Sequence, residues 1–173
     1  MSESATEQVK TPGVVMLAAG AVFVLFYAGY ALWSGVSLLF GCMGSSVYIM
    51  AALDSGDAGT IFGLGCSMWG LLLNGVGFLV YLALAAGGAW VATGGMSMQN
   101  LENLEKAKKC VMAAAAIPVV GILMNLLSTV GSLSFCGALT GTIPQLIPLI
   151  LGIAAAFLAN TALSDESVAG AFK

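Results

Sequence analysis

The sequence predicts an all-α integral membrane protein: an antiparallel bundle of four transmembrane helices with a short amphipathic linker helix on the cytoplasmic side. Two observations lead there. The 173 residues are 60% hydrophobic and 8% charged, with a mean hydropathy of +1.02, which leaves too little polar surface to cover a soluble fold of this size. The apolar residues also fall in long unbroken runs. Only helices and closed barrels satisfy their backbone polar groups in lipid, and these runs lack the alternation a barrel requires. One single-domain reading of residues 1–173 follows, with spans at 14–40, 61–93, 110–133 and 144–163.

Met1 to Thr11 is polar and reads as a disordered or surface-lying end, with Pro12 and Gly13 marking the entry to span one. Val14 to Phe40 carries no charge. It is longer than the apolar core of a signal peptide and lacks a strongly basic lead, so it reads as a retained span. Gly41 to Thr60 forms the first connection, with Asp54 and Asp57, although Val47 to Leu53 is apolar enough to extend the span. The second run, Ile61 to Thr93, would be about 50 Å long as one helix against a hydrocarbon core of about 30 Å. It must tilt, protrude or break.

The connection from Gly94 to Lys109, GGMSMQNLENLEKAKK, is the one strongly polar stretch inside the oily sequence. It reads as an amphipathic helix with Met98, Leu101 and Leu104 on one face, and with Glu102–Lys106 and Glu105–Lys109 spaced for ion pairs. Span three then holds Pro118, which frees the carbonyl of Ala114 and predicts a kink. A charge-free connection leads to span four, and a polar tail closes the chain.

Orientation follows from the lysines. With four spans, Lys10, Lys106, Lys108, Lys109 and Lys173 all lie on one side, and the positive-inside rule makes that side cytoplasmic. Lys106, Lys108 and Lys109 act as the cytoplasmic anchor. This small cluster is better explained by orientation than by a nucleic-acid surface, so no nucleic-acid partner is expected.

Small and polar residues recur at alternating spacings of four and three within the spans. Span two shows Gly63, Ser67, Gly70, Asn74, Gly77, Tyr81, Leu84 and Gly88; span three shows Ala114, Pro118, Gly121, Asn125, Ser128 and Ser132. Span one offers Ala21, Val24, Ala28, Ala31 and Gly35, and span four Pro148, Gly152, Ala155, Ala159 and Ala162. Small faces let helix backbones approach where lipid removes the hydrophobic drive. Asn74 and Asn125 read as interhelical hydrogen-bond formers rather than ion sites, since no charged residue lies within these spans.

Cys42, Cys66 and Cys136 fall near the non-cytoplasmic ends. Two readings stand: a disulfide, with Cys42–Cys66 the first choice, or free thiols packed as small apolar groups. Without histidine or paired cysteines no zinc or haem ligand set is present, and no cofactor is expected. Trp69 and Trp90 suit the two ends of span two as interfacial anchors.

Three features of the C-terminal half, Gly94-Gly95-Met96, the span entry CVMAAAAIP ending at Pro118, and the tail DESVAGAFK, resemble a group of uncharacterised small four-span bacterial membrane proteins. The resemblance implies four spans and nothing catalytic. The expected location is the bacterial inner (cytoplasmic) membrane with both termini inside. The expected function is a non-enzymatic structural or interaction subunit in the lipid bilayer, homo-oligomeric or part of a larger complex. The competing reading is an oligomeric channel or transporter component lined by Ser128, Thr129, Ser132, Ser134, Thr140 and Thr142.

Overall fold

The computed structural model describes residues 3–132 and 141–172. Four helices in it are long and apolar enough to cross a membrane. They are α1 (Glu3–Ser55), α2 (Ala58–Gln99), α3 (Leu104–Ser132) and α4 (Leu146–Leu163), the last entered through a 3-10 turn at Ile143–Gln145. A single terminal turn, α5 (Glu166–Ala169), follows. Helix α1 packs on α2 and α4, and α3 packs on the same two, so the four close a ring.

Two expectations about α1 are corrected. Its helix begins at Glu3 rather than after a disordered end, because Val9 is fully buried against Leu101 and Val168 in a small second core at the lysine-bearing end. It also continues through the stretch read as the first connection and stops at Ser55. Only Gly56, with φ +59°, and Asp57 turn the chain; the Asp57 carboxylate accepts from the backbone N–H of Gly59 and Thr60 at 3.1 and 3.3 Å and so caps α2. At 53 residues α1 is about 80 Å long, and α2 with 42 residues about 63 Å.

The expected amphipathic linker helix is absent. Helix α2 runs through Met98 to Gln99, the turn occupies Asn100 to Asn103, and α3 starts at Leu104. Leu101 and Asn103 take φ of 52° and 48°, a left-handed conformation that stops helix propagation. The turn holds because Leu101 is buried, the Glu102 N–H reaches the Ser97 carbonyl at 2.8 Å, and the Asn103 side chain caps the Lys106 N–H at 3.0 Å. Leaving Glu102 outside the helix breaks the spacing for a Glu102–Lys106 pair, whereas Glu105 and Lys109 meet at 2.7 Å.

The seam between α1 and α2 advances in steps of seven. Gly13 faces Gly95 and Gly20 faces Gly88, so residue numbers rise along one helix as they fall along the other. A Cβ on Gly20 would lie 2.6 Å from the Gly88 carbonyl oxygen, and one on Gly95 2.6 Å from that of Gly13. The backbones touch, which only glycine permits. One step further, Tyr27 and Tyr81 stack with centroids 6.2 Å apart and planes 10° off parallel.

Large side chains from one helix fill the room that glycines leave on another. Phe23 lies against Gly88 and Gly152, and Tyr27 against Gly121. The buried face of α1 is therefore Met16, Ala19, Phe23, Tyr27 and Ala31; of the stripe Ala21, Val24, Ala28, Ala31 and Gly35, only Ala31 lies on it. In α3 and α4 the buried faces follow the small-residue stripes, through Ala114, Pro118, Gly121 and Asn125, and through Pro148, Gly152, Ala155 and Ala159. Helix α3 passes through Pro118 as one element, and Gly152 of α4 sits on that proline and on the Ala114 carbonyl it leaves unbonded.

The α1–α2 hairpin extends past the described part of α3. Continuing the pairing of Gly94 with Cys110 and Gly87 with Ile117 brings Ser132, the last residue of α3, level with about Leu72. From there to the start of α2 the hairpin continues for about 20 Å. Leu39, Phe40, Met50, Leu53 and Phe62 on this extension are 68–83% exposed.

Candidate functional site

Where the ring of helices meets the hairpin extension, a cavity of about 650 Å³ opens between α1, α2, α3 and the segment leading into α4. Helix α1 contributes Phe26, Tyr30, Trp33 and Ser34; α2 contributes Asn74 and Tyr81; α3 contributes Asn125 and Ser128. The steps of seven and four that build the seam also bring these polar groups to one side. Tyr81 to Asn74 is one heptad of α2, and Tyr30 to Ser34 one turn of α1.

Hydrogen bonds fix the wall nearest α4. The Tyr30 hydroxyl donates to the Gly141 carbonyl at 3.0 Å, and the Asn125 Nδ2 donates to the Thr142 Oγ1 at 3.0 Å. Gly141 has no room for a side chain, since a Cβ there would lie 2.8 Å from the Asn125 Oδ1. The phenols form an aromatic cluster, with Phe26–Tyr30 and Tyr30–Tyr81 centroids 5.0 and 5.2 Å apart.

Behind this wall lies an unsatisfied amide. Gln145 is fully buried, yet neither its Oε1 nor its Nε2 has a hydrogen-bond partner; its carboxamide lies beside the Tyr30 and Tyr81 hydroxyls without reaching bonding geometry. The Tyr27 hydroxyl is likewise buried without a partner. Buried polar groups are paired in the great majority of cases, so these three atoms stand out among the described residues. None of the described residues lining the cavity is acidic or basic, and their amides and hydroxyls suit neutral hydrogen-bonding groups.

The residues singled out by sequence divide into three groups. Gly77, Gly121, Asn125 and Gly152 are buried in helix contacts, Gly77 against Ser34, Tyr81 and Met124. Asn74 and Ser128 line the cavity with Asn125, and Asn125 donates to Thr142 in the segment leading into α4. A Cβ added to Gly63 or Gly70 would meet nothing within 4 Å, and the Ser67 hydroxyl bonds to the Leu64 carbonyl of its own helix at 2.8 Å. Among the described residues, Gly63 and Gly70 therefore make no close helix contact.

Of the two readings for Cys42 and Cys66, the structure has them as free, exposed thiols, while Cys110 is buried against Gly94. Cys136, Ser134 and Thr140 lie outside the described residues. Lys108 and Lys109 are exposed at the start of α3, and Lys106 is half-buried. Among the described residues no group of three His, Cys, Asp or Glu side chains is placed to hold a metal ion.

Tyr30, Tyr81 and Gln145 are the site residues that sequence reasoning left without a role there. The signal for Gln145 was present: an amide in the first turn of an apolar span, directly after Pro144. Comparison with known proteins adds no relative, since no family model, curated protein or solved structure matches the chain. The class that fold and site define is a chain with four helices long and apolar enough to cross a membrane, with a neutral polar cavity at the base of an extended helical hairpin.

Proposed function

We propose that the protein is a non-enzymatic integral membrane subunit that self-associates through the hairpin extension. Its four spans run antiparallel through the bacterial inner membrane, with both termini and the Lys106–Lys109 cluster on the cytoplasmic side. The observation that carries this reading is a mismatch of lengths. Val14 to Leu53 is charge-free and continuous within α1, 40 residues or about 60 Å. Even tilted by about 40°, the upper end of the usual range, such a helix spans about 46 Å, against a hydrocarbon core of about 30 Å.

Lipid alone does not cover that surface. A second hairpin laid along the first supplies what is missing, and the small residues Gly63, Ser67 and Gly70, of which the two glycines meet nothing within 4 Å among the described residues, give it a close-approach face. The test is oxidative cross-linking in native membranes. Exposed Cys42 or Cys66 is expected to give a covalent dimer, and mild-detergent extraction a species of at least twice the 17.5 kDa chain mass. A strictly monomeric protein that never cross-links at either thiol would refute the reading.

The cavity favours a second reading, a channel or transporter component for a small neutral solute. Liposome flux that disappears on Asn74→Leu would support it, and flux indistinguishable from protein-free vesicles would remove it.

A further inference from the structure

We infer that the cavity is a binding site for a neutral, membrane-dissolved amphiphile whose head group carries carbonyl hydrogen-bond acceptors, with an isoprenoid quinone the occupant that fits best. Charge decides the class first. Asn74, Ser34, Ser128 and Tyr81 offer amide and hydroxyl donors, and none of the described lining residues is charged. A phosphate or carboxylate head would be stripped of water here without a counter-charge, which is far costlier than burying a carbonyl that receives a hydrogen bond.

The mouth decides the route. Leu25 and Trp33 at the rim are 76% and 73% exposed, and Gly29 between them faces open space. All three belong to the charge-free part of α1, so on the membrane reading the opening faces acyl chains and the ligand enters sideways from lipid. Depth agrees. Asn125 lies 17 residues along α3 from Lys108, about 25 Å, close to the far edge of a hydrocarbon core of about 30 Å. A head group held there leaves its tail within the bilayer.

The walls decide between flat and branched heads. Phe26, Tyr30, Trp33 and Tyr81 line the space with four aromatic rings, which suit a planar conjugated ring better than a glycerol ester. The volume lies within the range of small-molecule sites. Tyr81 completes the argument: the Tyr30 hydroxyl is committed to the Gly141 carbonyl, whereas that of the lining Tyr81 can turn its hydrogen toward a ligand carbonyl. The inference concerns a single chain and stands whether or not the hairpins associate.

The test uses the full chain in neutral detergent micelles with Trp69→Phe and Trp90→Phe, leaving Trp33 at the rim as the sole tryptophan. A decyl-substituted benzoquinone should quench its fluorescence with saturation, and Asn74→Leu or, separately, Ser128→Val should weaken binding at least tenfold and threefold while circular dichroism stays unchanged. Dioctanoylglycerol is the second arm: displacement of the quinone at comparable concentration makes glycerolipid the source of the same carbonyl chemistry. Linear, unsaturable quenching equal to that of a micelle-dissolved tryptophan octyl ester overturns the site. Competition by decanoate as strong as by the neutral ligands overturns its neutrality.

Discussion

Replacing Gly20 by alanine tests the α1–α2 seam where it is tightest. A Cβ there would stand 2.5 Å from the Ala92 nitrogen and 2.6 Å from the Gly88 oxygen, both backbone atoms that cannot rotate away. Measured against an ordinary carbon contact of about 3.5 Å, the two helices must part by about 1 Å. Gly29, nine residues along the same helix, has nothing within 4 Å of the corresponding position. Both substitutions carry the same gain of up to about 1 kcal/mol in helix propensity, so their difference isolates the overpacking, expected at about 1–3 kcal/mol. Unfolding followed by circular dichroism against the mole fraction of sodium dodecyl sulfate provides the measurement. Gly88→Ala added to Gly20→Ala should cost less than it does alone, because both open one contact. Equal stability of the Gly20→Ala and Gly29→Ala proteins would show that the backbones do not touch there.

Three further outcomes follow from single groups. Tyr27→Phe removes a buried hydroxyl that has no partner, so it should leave stability unchanged or raise it by about 1 kcal/mol in the same assay. Asn125→Leu breaks the bond to Thr142 and should lower stability by about 0.6 to 1.7 kcal/mol, while Asn74→Leu, on a half-buried wall of the cavity, should cost less. At the C-terminal turn, bonds from the Ser167 hydroxyl and N–H hold the Asp165 carboxyl below its ordinary range. A depressed folded-state value means the turn gains support above the unfolded carboxylate's titration and loses it as pH falls through the folded one. Amide exchange at Ser167 should therefore show less protection, once corrected for intrinsic pH dependence, in acid than at pH 7, and Asp165→Asn should abolish the difference.

How much of this was legible in advance depends on which side chains make the contacts. The stripes in α3 and α4 could be read because their buried faces consist of the small residues themselves, Ala114, Gly121, Gly152 and Ala155. In α1 the same search selects Ala21 and Ala28, whereas the core takes Phe23 and Tyr27. Tight packing requires small against large: Gly121 and Gly152 each leave the volume that an aromatic ring from α1 occupies. A stripe search on one helix cannot see what stands opposite.

The turns misled for a different reason. Ser and Gly at 41–60 read as a connection, yet in an apolar helix such residues satisfy their hydroxyls on the preceding turn, as Ser45 does on the Cys42 carbonyl at 3.0 Å, and the chain bends only at Gly56. The pattern at Met98, Leu101 and Leu104 did announce buried side chains. It could not announce that two left-handed residues interrupt the helix between them. The cavity was half visible, in Asn74, Asn125 and Ser128, while Tyr30, Tyr81 and Gln145 required knowing which helices are neighbours.

Cysteine labelling in intact cells tests the central proposal, that the lysine-bearing turn and the hairpin tip lie on opposite sides of a membrane. In an otherwise cysteine-free chain, Asp54→Cys should react with an impermeant maleimide added from outside, and Lys108→Cys only after the cells are opened. Labelling of both from the same side, or of both as readily as in a soluble protein, would contradict the account.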